Sequence, residues 1–91
     1  MVKLDGMNVY HLLGWRVKQV RIKLGLTQEE LAARHGKVTQ GYVSEFENGK
    51  INATLEIING FSLALDTPLS ELFIVTGVPD AILNSKIRTK F

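Results

Sequence analysis

The sequence has no cysteine, only two prolines, and no apolar run longer than a few residues. Without cysteine there are no disulfides and no thiolate chemistry, which suits a reducing compartment. Short apolar runs leave nothing long enough to span a bilayer, and the opening MVKLDGM lacks the continuous apolar core of a signal peptide. Together these absences point to the cytoplasm. Histidine is also scarce: His11 and His35 stand alone, without neighbours that would make a metal site. No carboxylate dyad, Ser-His-Asp arrangement or phosphate-cradling loop is present, and 91 residues make one small core rather than a core plus an enclosed cleft. Neither catalysis nor a cofactor is expected. Large net charge is missing too, at only +2, although Arg16, Lys18, Arg21 and Lys23 crowd one stretch and Lys86, Arg88 and Lys90 another. Such clusters suit a polyanionic partner, but a solvated face looks the same.

What is present is concentrated between Gly25 and Gly49, GLTQEELAARHGKVTQGYVSEFENG. Thr27 and Glu30 form a Thr-x-x-Glu capping box, so a helix should start at Gln28. Leu31 and Ala32 face inward, and Gly36 ends the helix because its C′ position favours positive φ. Thr39 caps a second helix over 40–47, stopped by Asn48-Gly49. On this helix Val43, Phe46 and Glu47 share one face, and Gln40, Gly41, Ser44, Glu45 and Asn48 share the other. The outer set is short or amide-bearing, unlike the Lys/Glu-rich surface of an ordinary solvated helix. Two short helices around a tight turn, with such a face outward, suit insertion into a DNA major groove.

The remaining chain supports this unit. Residues 1–7 lack caps and periodicity and should form a loose arm. Asn8 can cap a first helix over 9–24, with Leu13, Val17, Val20 and Leu24 inward. Trp15 lies off that stripe, as a partly covered surface aromatic or as a contact for the arm or a second subunit. Thr54 caps a fourth helix over 55–65 whose stripe is Leu55, Ile58, Phe61 (or Ser62) and Leu65. Gly60 weakens that helix by about 1 kcal/mol against alanine, which makes sense if something packs closely there. Pro68 begins a last short helix, LSELF, in which Leu69, Leu72 and Phe73 close the core. The extension 74–91 continues an apolar surface with Ile74, Val75 and Val78. Pro79 can then open a further helix over 79–87 carrying Ile82, Leu83 and Ile87. That helix either folds back on its own domain or meets a partner's. In the second case Ile57, Leu63, Ile74, Val75 and Val78 would form a two-fold contact.

GLTQEELA, YVSEFENGK and LSELF resemble the Cro/C1-type (XRE) helix-turn-helix DNA-binding proteins, which include the phage lambda and 434 repressors and restriction–modification controllers. The likeness covers residues 13–73. It implies an all-α, five-helix lambda-repressor-like domain over 8–73, followed by a short extension. It also implies a sequence-specific transcriptional regulator, acting as a homodimer on a pseudo-palindromic double-stranded operator. Base edges would be read by Gln40, Gly41, Ser44 and Glu45. The amide of Gln40 can bridge adenine N6 and N7, while Glu45 either accepts from cytosine N4 or is a rim charge. Gly41 permits close backbone approach where relatives carry a side-chain reader. Phosphates would meet Gln28 at a helix N-terminus, with Lys37, Thr39, Tyr42, Asn48, Lys50 and Asn52 around it. The family pattern further implies a partly buried ion pair between Arg21 and Glu47. The turn departs from the pattern: Lys37-Val38 is one residue longer than the commonest spacing, and His35 stands where an apolar residue is usual. Val38 should supply the turn's inward contact and His35 a half-buried packing residue. The competing possibility is a helix-turn-helix module that binds protein, such as an antitoxin component.

Overall fold

The structure, a computed structural model, describes residues 7–86. Six helices follow one another, with no β-strand among the described residues: α1 (Val9–Lys23), α2 (Gln28–His35), α3 (Gln40–Glu47), α4 (Leu55–Ala64), α5 (Leu69–Leu72) and α6 (Asp80–Leu83). The first five make the expected five-helix domain. The sixth is the tail helix, shorter than expected: it stops at Leu83, and Ser85 and Lys86 turn back toward Asn8. Residue 87 and the arm residues 1–6 lie outside the described residues, while Met7 is half-buried against the tail.

Local chemistry sets the helix starts. Asn8, Thr27, Thr39 and Thr54 each accept a hydrogen bond from the backbone N–H three residues on, at 2.9, 3.0, 3.1 and 3.2 Å. Glu30 closes the capping box by accepting from the Thr27 N–H at 3.0 Å. Such caps satisfy donors that a helix N-terminus otherwise leaves unpaired, each worth about 1 kcal/mol. Gly36 terminates α2 at φ 82°, in the left-handed region that glycine enters without a Cβ clash.

The core is built on Phe61, fully buried, with the Phe46 ring 4.6 Å away and Val17, Leu31, Val43, Leu65 and Leu72 around it. Three expected core residues lie at the surface instead. Leu24 is exposed because α1 ends at Lys23 and the chain reverses at Gly25, so Leu26 takes the core position. Leu55, the first residue of α4, is 71% exposed, and Phe73 lies just past α5 with 38% exposure. Gly14 was not singled out from the sequence, yet it governs how α1 meets α3. A Cβ there would fall 2.2 Å from the Phe46 carbonyl oxygen, so only glycine permits this approach.

A second cluster joins Leu12, Val78 and Leu83, with Met7, Trp15, Val75 and Ile82 packed against it. The extension therefore folds back on its own domain. Val78 is buried there, which removes it from any surface offered to a second chain. Arg16 fastens the connection: its Nε donates to the Ile74 carbonyl at 3.0 Å and its Nη2 to the Thr76 carbonyl. Its guanidinium sits 5.1 Å from the Trp15 ring centroid, so Trp15 is a partly covered surface aromatic beneath the tail.

Candidate nucleic-acid interface

α3 buries Val43, Phe46 and Glu47 and turns its opposite side outward. Gln40, Gly41, Glu45 and Asn48 are exposed and Ser44 is half-buried. A Cβ on Gly41 would meet nothing closer than the Thr39 hydroxyl at 3.9 Å, so this spot is open to an approaching surface.

What orients this face is a chain of side chains anchored in the body. Arg21 donates to Glu47 through Nε at 2.7 Å and through Nη2 at 3.0 Å, and through Nη1 to the Leu26 carbonyl at 2.7 Å. The side chains of this ion pair are only 11% and 2% exposed. Gln28 Nε2 donates to Glu47 Oε1 at 3.0 Å, and Gln40 Nε2 donates to Gln28 Oε1 at 2.7 Å. The direction of each bond follows from the first. An ionised carboxylate only accepts, so Gln28 must present its NH₂ to Glu47 and its oxygen to Gln40. Gln40 must in turn present its NH₂ to Gln28. Its Oε1 and second N–H are then left for the solvent side, as bidentate pairing with adenine requires. Neither Gln28–Glu47 nor Gln28–Gln40 is foreseen from the sequence, because contacts between α2 and α3 over 19 and 12 residues carry no local spacing signal.

The other expected phosphate contacts surround this centre. Thr39 spends an acceptor lone pair on its cap and keeps its O–H. Tyr42 is half-buried with its ring 6.5 Å from that of Phe46, and burial pushes its hydroxyl pKa up, so it remains a neutral donor. Asn48 donates Nδ2 to the Ser44 carbonyl at 2.9 Å, while Lys50 and Asn52 are exposed. Lys37 has a protein partner, Glu56 at 2.7 Å. That hydrogen bond raises the Lys37 pKa and lowers that of Glu56. Both side chains are exposed, so water and salt screen the pair and Lys37 stays free to exchange partners.

The lengthened turn is filled from within. Val38 packs on the core, and His35 sets its ring edge-on to Phe61 at 4.7 Å with Nε2 2.9 Å from the Ile57 carbonyl. A Cβ on Gly60 would lie 2.3 Å from that Nε2, which explains a glycine in mid-helix. No cluster of metal-binding side chains occurs among the described residues.

A family model described as helix-turn-helix matches residues 17–72, which holds α2, the turn and α3. The chain belongs to the helix-turn-helix family. An uncharacterized HTH-type transcriptional regulator of Sinorhizobium fredii, y4dJ, is 37% identical over 70 residues, spanning 77% of this chain and 87% of the relative. The restriction–modification controller protein C.AhdI of Aeromonas hydrophila superposes with a TM-score of 0.67 at 36% identity, over 70% of this chain and 96% of the controller. A hypothetical transcription factor from Neisseria, NHTF, superposes at 0.69 with 26% identity, over 81% of this chain and 82% of that one. The Cro/C1-type resemblance carried by GLTQEELA and YVSEFENGK thus holds at the level of family and fold. The helix-turn-helix match ends at Leu72, before the extension that packs on α1.

Proposed function

We propose that this chain is a sequence-specific DNA-binding transcriptional regulator that works in the cytoplasm as a homodimer on a pseudo-palindromic operator. The observation that carries the proposal is the exposed polar side of α3, with Gln40 held through Gln28 to the buried Arg21–Glu47 pair. An ordinary surface helix has no reason to have its first side chain oriented by a buried charge. Gln40, Gly41, Ser44 and Glu45 would read bases, and Gln28, Thr39, Tyr42, Asn48, Lys50 and Asn52 would set register on phosphates, joined by Lys37 once it leaves Glu56. The family membership and this face favour DNA over a protein-binding role.

For dimerisation, the apolar surface that the fold leaves uncovered is what counts. Leu63 is 74% exposed, and Leu55, Phe73 and Ile74 are also at the surface. Leu55 and Phe73 border an apolar cavity of about 160 Å³ that Val9, Leu13 and Phe46 help line. These exposures support a two-fold contact through Leu55, Leu63, Phe73 and Ile74, with half-buried Ile57 and Val75 at its edge and without the buried Val78. Two recognition helices so related should meet half-sites about 34 Å apart along the duplex.

Selection of bound sequences from a random duplex pool tests the proposal. A two-fold symmetric site should emerge, with affinity falling steeply as salt rises from about 50 to 200 mM. No enrichment combined with a flat salt response would overturn it.

A further inference from the structure

The extension does more than cover α1, because Ser85 and Lys86 line a cleft with Asn48, Gly49 and Lys50 at the far end of α3. The Asn8 backbone N–H donates to the Leu83 carbonyl at 2.7 Å. Asn8 Nδ2 then lies 3.2 Å from both the Ser85 carbonyl and Oγ, and 3.4 Å from the Lys86 carbonyl. Ser85 Oγ donates to the Ile82 carbonyl at 2.8 Å, which uses its single hydrogen. His11 Nδ1, 2.6 Å from the same oxygen, must therefore be the donor in that contact. Asn8 is itself buried and also caps α1, so its amide is committed on both sides.

His11 in turn touches the far end of the recognition helix. Gly49, at φ 73°, lies so near that a Cβ would fall 2.9 Å from the His11 Cα. The result is a cleft of about 250 Å³ whose walls include His11, Asn48, Gly49, Lys50, Ser85 and Lys86. Its formal charges are both positive, Lys50 and Lys86, and no carboxylate lines it among the described residues. One wall is the end of α3 and the other is the clamped tail.

We propose that this cleft is a backbone phosphate site, in which Lys86 of the extension joins Lys50 and Asn48 on the DNA strand beside the recognition helix. The inference rests on the DNA-binding reading above and adds to it a contact from outside the helix-turn-helix unit. The clamp matters because a lysine on a free tail would lose more chain entropy on binding, whereas the Lys86 backbone is already held.

Salt-dependent binding of a fluorescein-labelled duplex of mixed sequence, long enough for two half-sites, tests this by anisotropy. Each phosphate neutralised contributes about 0.9 to the slope of log affinity against log salt. Lys86→Ala should lower the slope by about that amount per chain, and Lys86→Arg should keep it. Lys86 is exposed, so thermal melting should be the same for all three proteins and separates lost contact from lost fold. A steep wild-type slope left unchanged by Lys86→Ala would overturn the phosphate site alone. A flat wild-type response would overturn the DNA reading and this site with it.

Discussion

Removing Glu47 should do more damage than any other single change to a polar side chain of the interface, because it strands a cation. Arg21 would keep one bond, to the Leu26 carbonyl, and lose two to a carboxylate that is 2% exposed. Breaking one side of a buried pair typically costs about 3–5 kcal/mol, most of it the price of an uncompensated charge. A domain of 91 residues has a total stability of about 5–14 kcal/mol, so Glu47→Ala removes a large part of it. At about 4–8 °C per kcal/mol for a domain of this size, the melting temperature should fall by at least about 12 °C. Arg21→Met/Glu47→Leu should recover much of the loss, since apolar replacement of both partners is often neutral. The double variant should nevertheless bind DNA poorly, because Gln28 has lost the acceptor that orients it and Gln40 with it. Calorimetry and anisotropy on the same proteins measure the two effects. A single variant within about 1 kcal/mol of wild type would show that the pair is solvated, as exposed pairs are. A stable double variant with full affinity would show that the hydrogen-bond chain does not orient Gln40.

Other substitutions separate the roles proposed for these residues. Gln40→Ala should cost about 1–3 kcal/mol of binding and relax preference at one base pair, while Lys50→Ala should weaken binding to all sequences evenly and flatten the salt slope. If competition assays show both variants behaving alike, the division into reading and positioning residues is wrong. Gly60→Ala should lower the melting temperature despite a helix-propensity gain of about 1 kcal/mol, because the His35 ring occupies the space. Adding His35→Ala should then relieve the clash, whereas a stabilised Gly60→Ala would show that the ring moves freely. Burial lowers the His11 pKa, so the unfolded chain takes up the proton first as pH falls. His11 thus leaves stability intact above its unfolded value of about 6.5 and lowers it below that. Melting from about pH 7.5 to 5.5 should show a steeper decline for wild type than for His11→Gln, and parallel curves would count against this.

How much of this was legible in the chain depends on how far apart the interacting groups lie. All four caps, both stop glycines and the inward faces of α2 and α3 are settled within four residues, where side-chain chemistry and backbone geometry leave few choices. The fold departs from the periodic pattern where an element ends. Leu24 fits the stripe of α1, but a periodic pattern does not say that the chain reverses at Gly25 and hands the core position to Leu26. Gly14 gave no signal because a glycine in a helix looks like a weakness until the helix that crosses it is known.

The polar contacts divide in the same way, with consequences for function. Nothing near Arg21 or Glu47 in the sequence announces their pairing; only the family likeness suggested it, and Gln28 as the bridge to Gln40 was not visible even then. The tail latch is the extreme case, joining Asn8 to Ser85 across 77 residues. As a cap, Asn8 was readable from its position before a helix. As the fastening of the extension, it was not, because its amide nitrogen has no local role. The parts shared with the family are thus the parts most open to sequence reasoning, while the helix-turn-helix match ends at Leu72. What lies beyond that point, Val78 and Leu83 on Leu12 and Lys86 beside Lys50, was decided by long-range closure. What the extension adds to the helix-turn-helix unit should therefore be sought at that closure, apart from whatever Gly41 and the lengthened turn change along α3.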